Sequence, residues 1–382
     1  MAWYEMNAGG IPASLKSDMN SVLNKKFGTV SQDYPPNGWP ADVNLMGPLP
    51  EKTASGAIAS FSDGADTVPV KSCKVAFGPG GGGGTPADPV ALVGYNSVNV
   101  VKAGKNLLDA STATGNGTIW FYYDNGILLK KGVTYTFSCG NRGSGSISFY
   151  GTDHSTQLAY AYIDNSSASV TFTPTENMRV CPRIYQVGLT PSGVIDPQLE
   201  TGSTATAYKP FVTPETISDS FGQTVYGGER DLVTDGMKKT ADIYDLGNLT
   251  WYADANRTGL FYTGLISGAA YTNCALACEQ YTVNNAKNPN TISDFEMSSM
   301  NSYGSNRIFI KNTDYAGYTG AQVAAALSGV QAVILLDTAE DITGLTAHDI
   351  DTNYADNNFY ADIPDSTMTV EYRADIPLAL NA

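Results

Sequence analysis

Apolar and polar residues alternate with a period of two along much of this chain, as expected for strands that bury one face. The clearest case is Val133 to Cys139, where Val133, Tyr135, Phe137 and Cys139 alternate with threonine and serine. Similar runs occur at 119–123, 147–150, 158–163, 169–173 and 180–186. Turn sequences separate these runs at 124–126, 140–145 and 164–165. Six or more strands over about a hundred residues predict a two-sheet sandwich or jelly roll.

A helical pattern occurs near the N-terminus. Leu15, Met19, Val22 and Leu23 fall at i, i+4, i+7 and i+8, which places them on one face of a short amphipathic helix over 12–27. One short helix cannot bury its own apolar stripe, so the stripe packs either against the following domain or against copies of itself. Proline-rich stretches at 34–40 and 46–50 predict extended straps. We expect residues 1–50 to anchor the chain, with these four residues as oligomerisation contacts.

The rest of the chain divides by composition. Residues 51–103 form a short β segment that ends in a flexible linker, because Gly78 to Pro89 contains five successive glycines and three prolines. No Lys-Ser or Lys-Thr follows the glycines, so a phosphate-binding loop is excluded. The sandwich covers 104–211. A second β-rich domain covers 220–382, with one helix at Gln322–Leu327 and a helix start at Thr346–Asp349. The predicted fold class is therefore mainly β.

Charge narrows the choice of partners. The 382 residues include 22 Lys plus Arg and 37 Asp plus Glu, which gives a net charge of −15. Binding to nucleic acid or to an anionic membrane is not expected of such a chain. The first residues lack the basic and apolar regions of a signal peptide, and the longest apolar run, Val330 to Leu336, is too short to span a bilayer. No membrane insertion is expected.

Candidate chemistry is sparse. The five cysteines at positions 73, 139, 181, 274 and 278 are too few and too scattered for a disulfide framework, which favours buried thiols in a reducing cytoplasm. Cys274 and Cys278 have the spacing of half a zinc site without the other half. His154 and His348 have no nucleophile motif nearby, so no catalytic residue is predicted.

Metal binding is a separate question. Structural Ca²⁺ is an open alternative for the sandwich, although Asp153, Asp164 and Asp196 lack EF-hand spacing. No metal ligand is assigned, and no other cofactor is expected.

Several phrases point to a known class of protein. Gly-Lys-Asn-Leu-Leu at 104–108 and Pro-Gln-Leu-Glu-Thr-Gly-Ser-Thr-Ala-Thr-Ala-Tyr-Lys-Pro at 197–210 enclose the strands Thr134–Ser138 and Val170–Thr173. Together they resemble the carbohydrate-binding-like β-sandwich modules of bacteriophage and prophage structural proteins. Residues 59–66 and 367–375 resemble phrases of tail and virion proteins from phages of Firmicutes.

This resemblance implies a non-enzymatic virion protein, on the tail or baseplate, that is assembled in the cytoplasm of the host bacterium. Its expected partners are other virion proteins and copies of itself, with a homotrimer favoured. The carbohydrate-binding-like module implies attachment to a glycan on the host surface.

Sugar binding requires exposed aromatic rings that cover the apolar face of a pyranose. The module offers Trp120, Tyr122, Tyr123, Tyr150, Tyr160, Tyr162 and Tyr185. Because Phe121 alternates with Trp120 and Tyr122, one face of that strand shows aromatic surface unless something covers it. Trp120 and Tyr122 are the predicted ligand-binding residues, although core packing or a subunit interface explains either of them as well.

Two alternatives to host attachment stay open. One is a purely structural role, such as a capsid-decorating head fibre or a scaffold ring. The other is a polysaccharide depolymerase with two opposed carboxylates, for which pairs such as Asp349 with Asp351 arise by chance among 37 acids.

Overall fold

The computed structural model describes residues 51–61, 67–115, 118–140, 144–164, 168–186, 195–271, 273–299, 306–353 and 357–373. The prediction of a mainly β fold is confirmed: nearly all regular structure in these ranges is strand. The helix with the Leu15, Met19, Val22 and Leu23 stripe, and the straps after it, lie outside the described residues.

The first part of the fold, which we call the base sandwich, packs two antiparallel sheets around one core. The larger sheet is eight-stranded, and its strands in spatial order are β1 (Glu51–Gly56), β28 (Thr367–Arg373), β3 (Thr67–Phe77), β17 (Gly228–Asp231), β18 (Met237–Asp245), β25 (Gln331–Ile342) and β21 (Ala275–Cys278), with β26 (Asp351–Asn353) also paired to β3. The smaller sheet has the order β16 (Glu215–Val225), β6 (Tyr95–Gly104), β27 (Asn357–Ala361) and β2 (Ala59–Ser60). Strands from before 104 and after 215 therefore share one core.

The second part, the inserted sandwich, runs between β6 and β16 and has its own core. Its three-stranded sheet has the order β13 (Ala168–Phe172), β10 (Tyr135–Gly140) and β15 (Ile195–Thr201). Its six-stranded sheet has the order β12 (Gln157–Asp164), β11 (Ser144–Gly151), β14 (Met178–Gln186), β8 (Ile119–Phe121) and β7 (Thr114–Gly115), with β9 (Ile127–Leu129) also paired to β14. The strands predicted from the period-two pattern are confirmed within a few residues.

The third part, the second insertion, lies between β18 and β25. Its five-stranded sheet has the order β19 (Trp251–Ala253), β20 (Leu260–Thr263), β24 (Phe309–Lys311), β23 (Glu296–Ser298) and β22 (Thr282–Val283). The helix α1 (Gly320–Ala326) packs against this sheet through Val323. Short 3-10 turns occur at Ala110–Thr112, Leu246–Asn248, Pro289–Thr291 and Thr313–Tyr315.

Sequence explains the bounds of α1. Thr319 accepts a hydrogen bond from the Gln322 backbone N–H, and the Gln322 side chain accepts one from the Thr319 N–H, which is a capping box.

The prediction that a second helix starts at Thr346–Asp349 is wrong. The His348 N–H donates to the Leu232 carbonyl and the Leu345 N–H donates to the Asp235 carbonyl. These backbone bonds to another segment replace the bonds that a helix would need.

The ends of the inserted sandwich are held together by residues of the two segments 104–108 and 197–210. Asn106 is buried, and its amide nitrogen donates to the carbonyls of Pro197 and Lys209. Its amide oxygen accepts from the N–H groups of Leu108 and Leu199. Lys105 forms an ion pair at 3.8 Å with the buried carboxylate of Glu200. The opening and closing phrases therefore meet, and their polar residues hold the chain ends of the sandwich together.

The glycine-rich segment differs from the predicted flexible linker. Gly80–Gly81 (β4) pairs with Leu92–Val93 (β5), the Gly83 N–H donates to the Cys278 carbonyl, and the Val90 N–H donates to the Glu279 carbonyl. The segment therefore lies against β21 and the residues after it. Glycine is needed for close approach here, since a Cβ at Gly84 would stand 2.5 Å from the Glu279 oxygen.

Candidate functional site

The candidate site is the outer face of the six-stranded sheet in the inserted sandwich. Strand register places Tyr160, Ser148, Arg183 and Phe121 side by side in one row across β12, β11, β14 and β8. Tyr162, Ser146, Tyr185 and Ile119 form the next row. Directly paired residues point to the same side of a sheet, so each row lies on one face. The intervening residues Ile147 and Ile184 are buried in the core, which identifies both rows as outward-facing.

Tyrosine rings dominate the exposed part of this face. Tyr162 is 75% exposed, Tyr160 is 52% exposed and Tyr185 is 36% exposed. The rings of Tyr160 and Tyr162 lie 5.5 Å apart in an edge-to-face arrangement. We call the set Phe121, Tyr150, Tyr160, Tyr162, Arg183 and Tyr185 the tyrosine–arginine face. Exposed neighbouring rings of this kind are unusual on a surface that binds nothing.

Arg183 lies at the centre of the tyrosine–arginine face. Its guanidinium carbon is 4.5 Å from the centre of the Tyr150 ring and 5.8 Å from the centres of the Phe121 and Tyr185 rings. The Tyr150 hydroxyl donates a 2.9 Å hydrogen bond to the Gln157 side chain, which fixes the ring most closely stacked on the guanidinium. These contacts hold the guanidinium plane in place through cation–π attraction.

One end of the face is bounded by the turn between β11 and β12. The His154 ring stacks on Phe121 at 4.3 Å with nearly parallel planes. Asp153 accepts hydrogen bonds from the backbone N–H and side-chain hydroxyl groups of both Ser155 and Thr156. These bonds, those from Thr156 first, lower the pKa of the Asp153 carboxyl below its ordinary value. Asp153 thus stays ionised and organises the turn instead of accepting a proton from a substrate.

The two predicted ligand-binding residues lie elsewhere. Tyr122 is 0% exposed and packs edge to face on Phe137 in the core, at 6.1 Å between ring centres. Trp120 is half-buried and pairs with the core residue Ile184, so it faces inward. A sugar could not reach the Tyr122 ring without opening the core. The sequence signal for the outer face is the alternation of Tyr160 and Tyr162 with Ala159 and Ala161, small residues that fit the inner face.

The groups around His154 do not favour nucleophilic catalysis. His154 Nε2 lies 3.2 Å from the Asp124 carbonyl oxygen, which also accepts the Cys181 thiol at 3.6 Å. Burial raises the pKa of the Cys181 thiol, which is the reverse of what an activated thiolate needs.

His348 instead belongs to a buried polar cluster in the base sandwich. Its Nε2 lies 3.2 Å from the Asp219 carboxylate, which the fully buried Arg230 contacts at 2.6 Å. Arg230 also donates to the carbonyls of Asp231, Thr234, Gly236 and Thr346, so this cluster holds two loops onto the base sandwich.

Within the described ranges, no group of three or more His, Cys, Asp or Glu side chains is placed to hold a metal ion. Cys274 and Cys278 are both buried with free thiols. A cavity of about 300 Å³ beside the base of the inserted sandwich is lined by Lys102, Lys105 and Lys209. Lys102 is paired with Glu215 and Lys105 with Glu200, so part of this basic charge is already neutralised.

Comparisons with known proteins do not assign the chain to a family. No model of a protein family matches it, and no curated protein is significantly similar to it in sequence. In the part of the chain that the structure describes, no helix is long and apolar enough to cross a membrane. What the tyrosine–arginine face binds must therefore be inferred from its own residues.

Proposed function

We propose that the chain is a non-enzymatic structural protein of a bacteriophage particle that attaches to the host by binding a cell-surface glycan through the tyrosine–arginine face. The observation that carries the binding half of this proposal is the exposure of Tyr160 and Tyr162 beside Arg183 and Tyr185 on one sheet face. The assignment to a phage particle rests on the resemblance of 104–211 to modules of phage structural proteins. The proposed tail or baseplate position rests on the resemblance of 59–66 and 367–375 to phrases of tail and virion proteins.

The chemistry of the face suits a sugar. The C–H groups of a pyranose ring form an apolar surface that stacks on tyrosine, and its hydroxyls accept hydrogen bonds from tyrosine hydroxyls and from guanidinium. Tyr160 and Tyr162 stand two residues apart on one strand, which separates their Cα atoms by about 6.6 Å. Two adjacent rings of this kind provide a platform for a short stretch of glycan.

A single shallow face of this type binds weakly, so attachment would depend on several copies. In a symmetric homo-oligomer, for which we favour a trimer, several linked sites bind the same surface together. Their overall avidity can exceed the affinity of one site by about 10²–10⁴-fold. The segment 1–50 is the proposed oligomerising and anchoring element. A mass measurement of the full chain beside a chain lacking 1–50 tests this part, since loss of the segment should convert the oligomer to monomer.

The binding half is tested with the Tyr160→Ala/Tyr162→Ala double variant. We expect about 5- to 150-fold weaker binding to host cells and to the best ligands of a glycan array, since each of the two lost aromatic contacts removes about 0.5–1.5 kcal/mol. Tyr271→Ala is the matched control, because Tyr271 is 58% exposed but lies in the second insertion. Failure of the full chain to bind any host cell or glycan, or equal binding by the double variant, would refute this proposal.

A purely structural role is the second candidate, and one observation favours it. β12, which carries Tyr160 and Tyr162, is an edge strand of its sheet. Edge strands are ready to pair with another chain, so this face could be a subunit contact in a head fibre or scaffold ring. In that case the double variant would change the oligomeric mass while leaving cell binding unaffected. Release of reducing sugar from host envelope would instead support the depolymerase alternative.

A further inference from the structure

We propose that the ligand of the tyrosine–arginine face is an acidic glycan, with a carboxylate or phosphate group bound by Arg183. This inference rests on the proposed function and names the chemical class of its ligand. It is carried by the hydrogen-bonding state of Arg183 and by the charge of the side chains around it.

The guanidinium of Arg183 has unused hydrogen-bonding capacity. Its contacts are with the ring faces of Tyr150, Phe121 and Tyr185, and cation–π contacts use the flat face of the guanidinium. The five N–H donors lie in the guanidinium plane. Among the described residues Arg183 forms no ion pair, and its Nε is buried without an acceptor. The arginine is therefore oriented by aromatic rings, and its two terminal nitrogens have no acceptor among the described residues, whereas Nε is covered.

A second polar group beside Arg183 is also unsatisfied. Ser148 is directly paired with Arg183 across β11 and β14, on the same face. Its side chain is 1% exposed, and its hydroxyl has no hydrogen-bond partner. Buried polar groups without a partner are uncommon in folded proteins. Both groups are covered in this structure, so an acceptor from a ligand reaches them only when a covering side chain moves aside.

The charges of the side chains around Arg183 also favour an anionic ligand. Across the described parts of the paired rows, from Gln157–Tyr150–Cys181 to Tyr162–Ser146–Tyr185, no side chain is acidic. Acidic residues stand at the two ends of the face: Asp153 is engaged by Ser155 and Thr156 and Asp124 by His154, and β12 ends at Asp164, two residues after Tyr162. On a chain with a net charge of −15, the centre of this face is thus locally cationic. A local cation of this kind selects an anionic group over a neutral one.

Carboxylate and phosphate share the chemistry that Arg183 recognises. Both present two oxygens that match the guanidinium fork. A polyuronate and a polymer linked by phosphodiesters are therefore the two sources to be separated. The two probes are polygalacturonate and poly(glycerol phosphate), and carboxyl-reduced polygalacturonate is a neutral polymer with the same backbone.

The test measures binding of the full chain to these three polymers by biolayer interferometry. We expect at least tenfold tighter binding to one acidic polymer than to the neutral polymer. Arg183→Gln, which keeps a planar group without the charge, should abolish this preference, so that the variant binds the acidic and the neutral polymer with equal affinity. Arg179→Gln is the control, since Arg179 is exposed on the same strand and donates to the Gly126 carbonyl. It should keep the preference.

The outcomes separate this inference from the proposed function. Equal binding to neutral and acidic polymers, or an undiminished acidic preference in Arg183→Gln, overturns the inference and leaves glycan binding intact. Absence of binding to all three polymers also overturns it, while the whole-cell assay with the Tyr160→Ala/Tyr162→Ala variant decides the proposed function independently. If Arg183→Gln fails to fold, Arg183→Lys, which retains charge without the planar fork, is expected to weaken the preference without removing it.

Discussion

Asn106 shows how a single polar residue can join two ends of a chain. Its side chain makes four hydrogen bonds, to the carbonyls of Pro197 and Lys209 and from the N–H groups of Leu108 and Leu199. An asparagine side chain offers two donors and an acceptor with two lone pairs, so these four bonds satisfy its whole hydrogen-bonding capacity. The phage-like phrases thus contain at least one residue whose role is to close the inserted sandwich.

We expect Asn106→Ala to lower the free energy of unfolding by about 3 kcal/mol or more, because each buried backbone group that loses its partner costs about 1–3 kcal/mol. Urea denaturation followed by circular dichroism measures this loss. Asn99→Ala is the matched control, since the Asn99 amide bonds the exposed Asp362 carboxylate, and its loss should stay below about 1 kcal/mol. Equal losses in the two variants would contradict this role for Asn106.

At the scale of elements, the glycine segment illustrates how composition misleads. Five glycines between prolines indicate flexibility when read as sequence, because glycine and proline punctuate linkers. In the fold, Gly84 is buried against the backbone of Asp88, Val90 and Glu279. Sequence alone could not distinguish the two cases, since the partner backbone lies roughly 190 residues away in the chain and exerts its effect only after folding.

Gly84→Ala should therefore destabilise the protein, by about 1–3 kcal/mol, because the added methyl group would meet backbone atoms 2.5–2.6 Å away. The Val90 amide proton, which bonds the Glu279 carbonyl beside Gly84, should also exchange faster with solvent. Gly78→Ala is the control, since a methyl group there meets nothing within 4 Å. A linker would tolerate both substitutions alike, and that result would count against the packed segment.

The strands of the inserted sandwich could be predicted from the sequence, whereas the exposed face could not. Alternation at Val133–Cys139 identified β10, because one buried face imposes a period of two. For 119–123, alternation established only that Phe121 points away from Trp120 and Tyr122. Which side is buried depends on Phe137, which packs against Tyr122 from the opposite sheet. That contact is tertiary, so the local pattern could not show that Tyr122 faces the core.

For the whole molecule, the buried thiols and phenols determine how stability responds to alkaline pH. Burial raises the pKa of Cys73 to about 12, that of Cys139 to about 11 and that of Cys278 to about 11, against an ordinary value of 9.0. Burial also raises the pKa of Tyr135 to about 12 from 10.0. In each case the folded state favours the protonated form, so the unfolded chain ionises first as pH rises.

This order of ionisation fixes the sign of the pH dependence. Below about pH 9 both states keep the proton and stability is unaffected by these groups, whereas between about pH 9 and 12 the unfolded state holds fewer protons and stability falls. The loss is about 1.4 kcal/mol per pH unit for each such group, so the three thiols alone give about 4 kcal/mol per unit once all are ionised in the unfolded chain. Domains are commonly stable by about 5–15 kcal/mol, so we expect unfolding before pH 12.

Urea denaturation at a series of pH values between 7 and 11, followed by far-ultraviolet circular dichroism, measures this slope. Cys73→Ala should reduce the alkaline slope by about 1.4 kcal/mol per pH unit, whatever it does to stability at pH 7, because one titrating thiol is gone. Using the slope separates titration from any cavity that the substitution leaves. A free energy of unfolding that stays constant up to pH 11 would mean that these thiols reach solvent in the folded protein, and the three cores would then be less tightly packed than their burial indicates.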